Sequence, residues 1–294
     1  MKDVLGDKRA VLLLVGPALL IYTLITIVPI GWSLVYSFYS GGLLSGMQFT
    51  GLDNFTKFFS DTTALQALWF TVRYAFIVTI AQVALGYLLA LLYVFMLRRA
   101  SNLIRTVVFF PVILPTVAVA LLFQQMFQVA PTTGPVNGAL EWFGGSGQDF
   151  LGSPGGAFWV LIAMDLWRSM GFYAVLLYAG LLDIPEDILE AARIDGAGTL
   201  NLVRRIVLPL SLPVLLSSLI FSINGTLKVF DSIVALTNGG PGGSTMPLTL
   251  HMFQTSFTYG DYGYGSTIAT ILTILCLMFT VLIFRSTRRD IAKG

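Results

Sequence analysis

Four charged residues lie within apolar stretches at helical spacing. Asp165 and Arg168 are three positions apart, and so are Lys228 and Asp231. That spacing puts both members of a pair on one helix face, where they can meet. A charge at the centre of a bilayer costs about 2.5–3.5 kcal/mol on insertion scales. Each pair therefore either neutralises itself and pins its helix, or lines a polar pathway. The second pair has the more polar surroundings: Ser217, Ser218, Ser222, Asn224, Thr226 and Ser232. Such donors and acceptors beside an aromatic face suit a ligand rich in hydroxyl groups. Other chemistries find little support. Cys276 is the single cysteine, so neither a disulfide framework nor a Cys-based metal site is expected. His251 is the single histidine, which argues against a His-rich metal site or a His proton relay. No Ser/His, His/Asp or paired-carboxylate set occurs at membrane depth. The Gly-rich run Asn238–Ser244 is not followed by Gly-Lys-Ser/Thr, which excludes a phosphate-binding loop of that type.

The elements that must hold these residues follow from composition. The chain has 294 residues, 56% hydrophobic and 11% charged, with mean hydropathy +0.82. Ordinary soluble domains carry roughly a quarter charged residues. An integral membrane protein is expected, and a net charge of +2 gives no reason to invoke nucleic acid. A transmembrane helix needs about 20 mostly apolar residues. Six stretches qualify: Val11–Tyr39, Leu68–Leu97, Ile104–Phe127, Ala157–Leu182, Val207–Leu236 and Tyr264–Phe284. These runs are too long for barrel strands and lack their alternation. The first run is also too long for a signal-peptide core and lacks a small-residue cleavage site. Its length, with Pro17 and Pro29, predicts a tilted or bent span. The expected fold is all-α: six transmembrane helices in a single transmembrane domain over residues 1–294.

Charge placement orients the chain. Lys2, Lys8 and Arg9 precede span one; Arg98, Arg99 and Arg105 follow span two. Arg193, Arg204 and Arg205 follow span four, and Arg285, Arg288, Arg289 and Lys293 follow span six. The opposite loops hold only Lys57. By the positive-inside rule both termini are cytoplasmic. The outer segments Ser40–Ala67 and Gln128–Gly156 read as short extracytoplasmic caps.

Several residues inside the spans have two readings. Arg73 snorkels toward the headgroups. Gln82, Gln124 and Gln125 either line a cavity or bond helix to helix. Pro111 and Pro115 predict a bent, partly unwound span three, as a static kink or a moving gate. Trp32, Tyr36, Tyr39, Trp69 and Tyr74 read as an aromatic belt at the outer interface. Asn238–Ser244 is a turn former, and either a tight turn or an outer docking surface.

The segment 183–206 between spans four and five is the most informative. Pro185 suits a first helical position, and Glu186 and Asp187 suit the positive end of the helix dipole. Ile184, Ile188, Leu189 and Ala192 share a face at helical spacing. Gly196 is a natural stop. A short amphipathic helix of about eleven residues follows from these signals, with a second amphipathic turn at Leu200–Ile206. It either lies on the headgroups or docks a cytoplasmic partner. Small Ala191 and Ala192 beside Glu190 would let that partner approach, with one carboxylate available to an Arg.

The segment also carries a family pattern. Glu190-Ala191-Ala192, then Gly196 after three residues, then Ile206 and Leu208-Pro209, resembles the EAA motif of ABC importer permeases at every defined position. Ile184-Pro185-Glu186, Ile194-Asp195-Gly196-Ala197, Lys228-Val229-Phe230-Asp231 and Leu236-Thr237-Asn238-Gly239-Gly240-Pro241 are similar to its carbohydrate branch. So are Pro111-Val112-Ile113-Leu114-Pro115 and Gly134-Pro135-Val136-Asn137. The resemblance is nearest to the first permease subunit of maltose-type and glycerol-3-phosphate-type importers. It implies one half of a permease heterodimer in the cell membrane of a bacterium or archaeon. Two cytoplasmic ATPase subunits would bind ATP and Mg and dock on the coupling helices. An extracytoplasmic binding protein would deliver a sugar. Glu190, Ala191, Ala192, Asp195 and Gly196 would form the ATPase-coupling segment. Asn224, Thr226, Lys228 and Phe230 would fall in the family's sugar site, with Asp231, Asp165 and Arg168 joining the pathway. The chain itself would hold no cofactor or metal and would be no enzyme.

The rivals are an ion-gradient-driven secondary transporter and an intramembrane enzyme. The first would show inverted repeats and need no docking motif; the second would need a catalytic constellation. If Lys228 and Arg168 are each neutralised by a neighbouring Asp, a neutral sugar is favoured over a phosphorylated one.

Overall fold

A computed structural model describes residues 8–42, 46–97, 101–129 and 131–291. Of the orienting basic residues, Lys2, Arg98, Arg99 and Lys293 lie outside the described residues. The chain forms two compact units, one of Met1–Leu65 with His251–Ile271, the other of Gln66–Leu250 with Leu272–Gly294.

The first unit begins with α1 (Lys8–Tyr22), a π-helical turn (Thr23–Ile27) and α2 (Val28–Tyr36). Pro29 lacks an N–H, so the ladder is disturbed on its N-terminal side, and the π turn lies there. The span ends at Tyr36 rather than Tyr39, because Tyr39 begins a β-hairpin. Strand β1 (Tyr39–Gly42) pairs antiparallel with β2 (Gly46–Phe49), Tyr39 opposite Phe49. This small piece of sheet in an otherwise helical chain was not expected from the sequence. Helix α3 (Asp53–Ser60) follows. Buried Asn54 fastens it by donating from its amide to the carbonyls of Ser37 and Tyr39 at 3.1 and 2.7 Å.

The second unit is built on α4 (Thr62–Phe95), α5 (Ser101–Ile113), α6 (Thr116–Met126), α7 (Pro135–Trp142) and α8 (Pro154–Leu182). Then come α9 (Glu186–Ile194), α10 (Thr199–Leu202) with a π turn (Val203–Val207), α11 (Leu208–Leu227) and α12 (Asp231–Leu236). Helix α13 (Leu248–Phe253), a π turn (Gln254–Thr258) and α14 (Tyr262–Ile291) close the chain, their residues 251–271 belonging to the first unit. Helix α8 is central and packs on α5, α6, α11 and α12. Gly171 permits the α5 contact, since a Cβ there would lie 2.3 Å from the Val108 carbonyl oxygen. Phe70, Tyr74, Val119, Phe123, Phe158, Leu161 and Ile233 form one core cluster; Val83, Tyr173, Leu177, Leu181, Ala192 and Leu202 form another.

Among the described residues, five helical stretches are long and apolar enough to cross a membrane, and a sixth if α5 and α6 count as one span. Those two meet at 96°. Pro111 and Pro115 account for the bend: both lack a donor, and Pro115 stands extended (ψ 131°) as the cap of α6.

Span five differs from expectation. Its helix stops at Leu227, not Leu236, and α12 is a separate short helix. Lys228, Val229 and Phe230 carry non-helical backbone between them, with Phe230 at φ −144°, ψ −61°. The break is tolerated because its polar groups find partners. The N–H groups of Lys228 and Val229 both donate to the Thr226 carbonyl, and the Val229 carbonyl accepts from the Thr249 hydroxyl. Asp231 then falls in the first turn of α12, where the dipole favours an acid.

Candidate functional site: a polar cavity and an acidic coupling helix

A cavity of about 250 Å³ opens at this break, walled by α4, α8, α11 and α12. Thr226, Lys228, Phe230, Asp231, Asp165 and Arg168 all line it, with Tyr74, Gln82, Ser169, Tyr173 and Ser232. Asn224 does not. Its amide donates to Thr280 Oγ1 (2.9 Å) and to the Ile220 carbonyl (2.8 Å), on the side of α11 that meets α14.

The two charged pairs behave differently. Asp165 and Arg168 meet as expected, Nε to Oδ1 at 3.7 Å. Lys228 and Asp231 form no ion pair within 4.0 Å; both are exposed. The expectation of a helical i,i+3 pair fails because the helix breaks between them. The premise that Lys228 is neutralised fails with it.

Asp165 is held from two further elements. Tyr74 Oη on α4 and Ser232 Oγ on α12 both donate to its Oδ2, the latter at 3.1 Å. A buried carboxylate needs such partners to persist. Tyr74 is therefore not a belt residue; it is fully buried. Phe70, Tyr74, Val78, Gln82, Gly86 and Ala90, each four apart along α4, are all buried. Gln82 does both things proposed for it. It lines the cavity, and its Oε1 accepts from Ser169 Oγ (2.7 Å) while its Nε2 donates to Ser222 Oγ. Gln124 likewise does both: with Gln125 it lines a second cavity, and it donates to the Ala235 and Leu236 carbonyls at 3.0 and 2.9 Å, tying α6 to α12. Arg73 lies over the Phe158 ring, 4.0 Å from its centroid.

The second candidate site is α9. It runs nine residues, Glu186–Ile194, with Pro185 as its cap rather than its first helical residue. Gly196 ends it at φ +85°, a conformation glycine adopts without strain. The Ala197 N–H donates back to the Ala192 carbonyl at 2.9 Å. The three residues of the motif divide: Glu190 and Ala191 are exposed, whereas Ala192 is buried against Leu181, Leu202 and Val207. Asp195 and Gly196 are exposed. Ile188 is also exposed, so the inward face is narrower than its spacing suggested. Ile194 (86% exposed) and Leu200 (80%) add exposed apolar area to this segment.

Membrane-crossing helices, a polar cavity at a helix break and an exposed acidic helix outside the spans together define a solute permease. The chain belongs to the family described as binding-protein-dependent transport system inner membrane component, which matches residues 82–290. It is 32% identical to the sulfoquinovosyl glycerol transport system permease protein SmoG of Agrobacterium fabrum, over 97% of this chain and 92% of that protein. It is 36% identical to the trehalose/maltose transport system permease protein MalF of Thermococcus litoralis, over 79% and 78%. It is 32% identical to the lactose transport system permease protein LacF of Rhizobium radiobacter, over 94% and 93%. Its fold matches that of a bacterial ABC transporter involved in the import of the acidic polysaccharide alginate, with TM-score 0.84, 21% identity and 98% of both chains covered.

Proposed function

We propose that this chain is the permease subunit of an ATP-binding-cassette importer for a carbohydrate. The observation that carries this reading is the cavity at the break of span five. Its hydroxyls, amide and charged groups alternate as donors and acceptors beside Tyr173 and Phe230. Such a wall suits a polyhydroxylated solute: many hydrogen bonds, each specific in direction, against an aromatic face. The relatives named for sulfoquinovosyl glycerol, trehalose/maltose and lactose support the same class. Thr226, Lys228, Phe230, Asp231 and Arg168 contribute to the solute pathway; Asn224 contributes to the α11–α14 contact.

The chain works with a second permease subunit, two cytoplasmic ATPase subunits and an extracytoplasmic binding protein. ATP and Mg are bound by the ATPase subunits. Glu190, Ala191, Asp195 and Gly196 present the face on which an ATPase docks, and Ala192 joins that face to the permease core. Both termini are cytoplasmic, which the placement of basic residues supports.

The test is purification of the tagged chain from its own membrane in mild detergent, with mass identification of what comes with it. A second permease and an ATPase are expected. A chain that purifies alone, without any ATPase, would overturn the reading in favour of an ion-driven carrier.

A further inference from the structure

Asp165 lines the cavity, yet it is only 6% exposed and its oxygens already face protein groups. Oδ2 takes the Tyr74 and Ser232 hydroxyls. Oδ1 is buried with no hydrogen bond, and what it faces is Arg168 Nε, buried and likewise unbonded, at 3.7 Å. That separation is too long for a hydrogen bond but close for an ion pair. Arg168 is different. Its side chain is 31% exposed, and it lines the cavity. One edge of the guanidinium is turned to a fixed carboxylate and the other faces the cavity. A planar fork held from behind presents its remaining donors in a set direction.

We infer that Asp165 is a positioning residue which acts through Arg168, and that Arg168 is the group that touches solute. Tyr74 and Ser232 fix the carboxylate from α4 and α12, and the carboxylate sets the guanidinium. A compensated guanidinium is a hydroxyl donor without a strong net field. The inference rests on the carbohydrate reading only for the identity of the solute.

Two measurements on the full chain test it. In lipid nanodiscs, phenylglyoxal modification of Arg168 is followed by peptide mass spectrometry, with Arg204 and Arg205 as internal controls. Asp165→Asn keeps an acceptor for Tyr74 and Ser232 but removes the charge facing Arg168. It should raise the Arg168 rate about fivefold, and Asp165→Glu should return it toward the original. An unchanged rate in a folded Asp165→Asn chain would overturn the inference and leave Asp165 a helix pin. In proteoliposomes of the complete transporter, a panel of labelled mono- and disaccharides reads uptake. Asp165→Asn added to Arg168→Gln should lose nothing beyond Arg168→Gln alone; a further multiplicative loss would also overturn it. The reagent reads the guanidinium without any solute. Failure of the carbohydrate reading would therefore show as no uptake by the unmodified protein, with the modification result intact.

Discussion

The side chain of Asn137 and the backbone of Gln148 are bonded in both directions. The amide donates to the Gln148 carbonyl at 3.2 Å, and the Gln148 N–H donates to Asn137 Oδ1 at 2.9 Å. The same amide also reaches the Phe127 and Gln128 carbonyls, at 3.0 and 3.2 Å, and the residue is fully buried. One side chain thus closes the segment between α6 and α8. Asn137→Ala should destabilise the protein by about 2–4 kcal/mol, the cost of several buried backbone groups left unpaired. A lowered thermal midpoint and new proteolytic cleavage within 128–150 would check it.

The division of the docking motif makes a paired prediction. Ala191→Arg places bulk on the exposed face, and should abolish co-purification of an ATPase while leaving thermal unfolding unchanged. Ala192→Leu overfills a packed site and should destabilise by about 1–3 kcal/mol. Glu190→Lys should behave like Ala191→Arg. Normal ATP-driven uptake by Glu190→Lys would remove the docking assignment.

Lys228 is exposed at the cavity and has no ion-pair partner among the described residues. Lys228→Met should therefore change stability by less than about 0.5 kcal/mol and still reduce uptake in proteoliposomes. Unchanged uptake with a lowered thermal midpoint would make it a structural residue.

Outside the spans, Asp61 and His251 predict a pH dependence. Burial pushes the imidazole below its ordinary 6.5, against the pull of Asp61, whose Oδ2 lies 3.8 Å from Nε2. Burial would raise the Asp61 carboxyl, but the Tyr264 hydroxyl (2.7 Å), the N–H groups of Ala64 and Thr63 and the imidazole hold it below its ordinary 3.8. Both groups bind protons more weakly folded than unfolded. Stability is then full above 6.5, begins to fall as His251 protonates in the unfolded chain, and falls again below 3.8 through Asp61. Thermal midpoints between pH 8 and 5 should decline, and His251→Gln should flatten that decline. A slope unchanged by His251→Gln would refute the assignment.

Much of this was legible in the sequence. Apolar length located the spans, because a helix in lipid must satisfy its own backbone, although it carried the fifth past Leu227 to Leu236. The local signals around Pro185 and Glu190 located the short helix α9, and Gly196 its end. The break after Leu227 was not legible. No proline marks it, and Asn224-Gly225-Thr226 is only a weak signal. Its backbone partner, Thr249, lies 20 residues away in sequence. Tyr74 was misplaced for a related reason: membrane position alone cannot tell an interface tyrosine from one bonded to a carboxylate on another helix.

The interrupted fifth span has a mechanical meaning. Bending an intact helix means pulling apart bonds between successive turns. Between Leu227 and Asp231 those bonds are already absent, so the chain has a ready-made joint there. The two rods it connects carry opposite ends of one wall, Thr226 on one and Ser232 on the other. Swinging either rod would reshape the space around a bound molecule while leaving both helices whole.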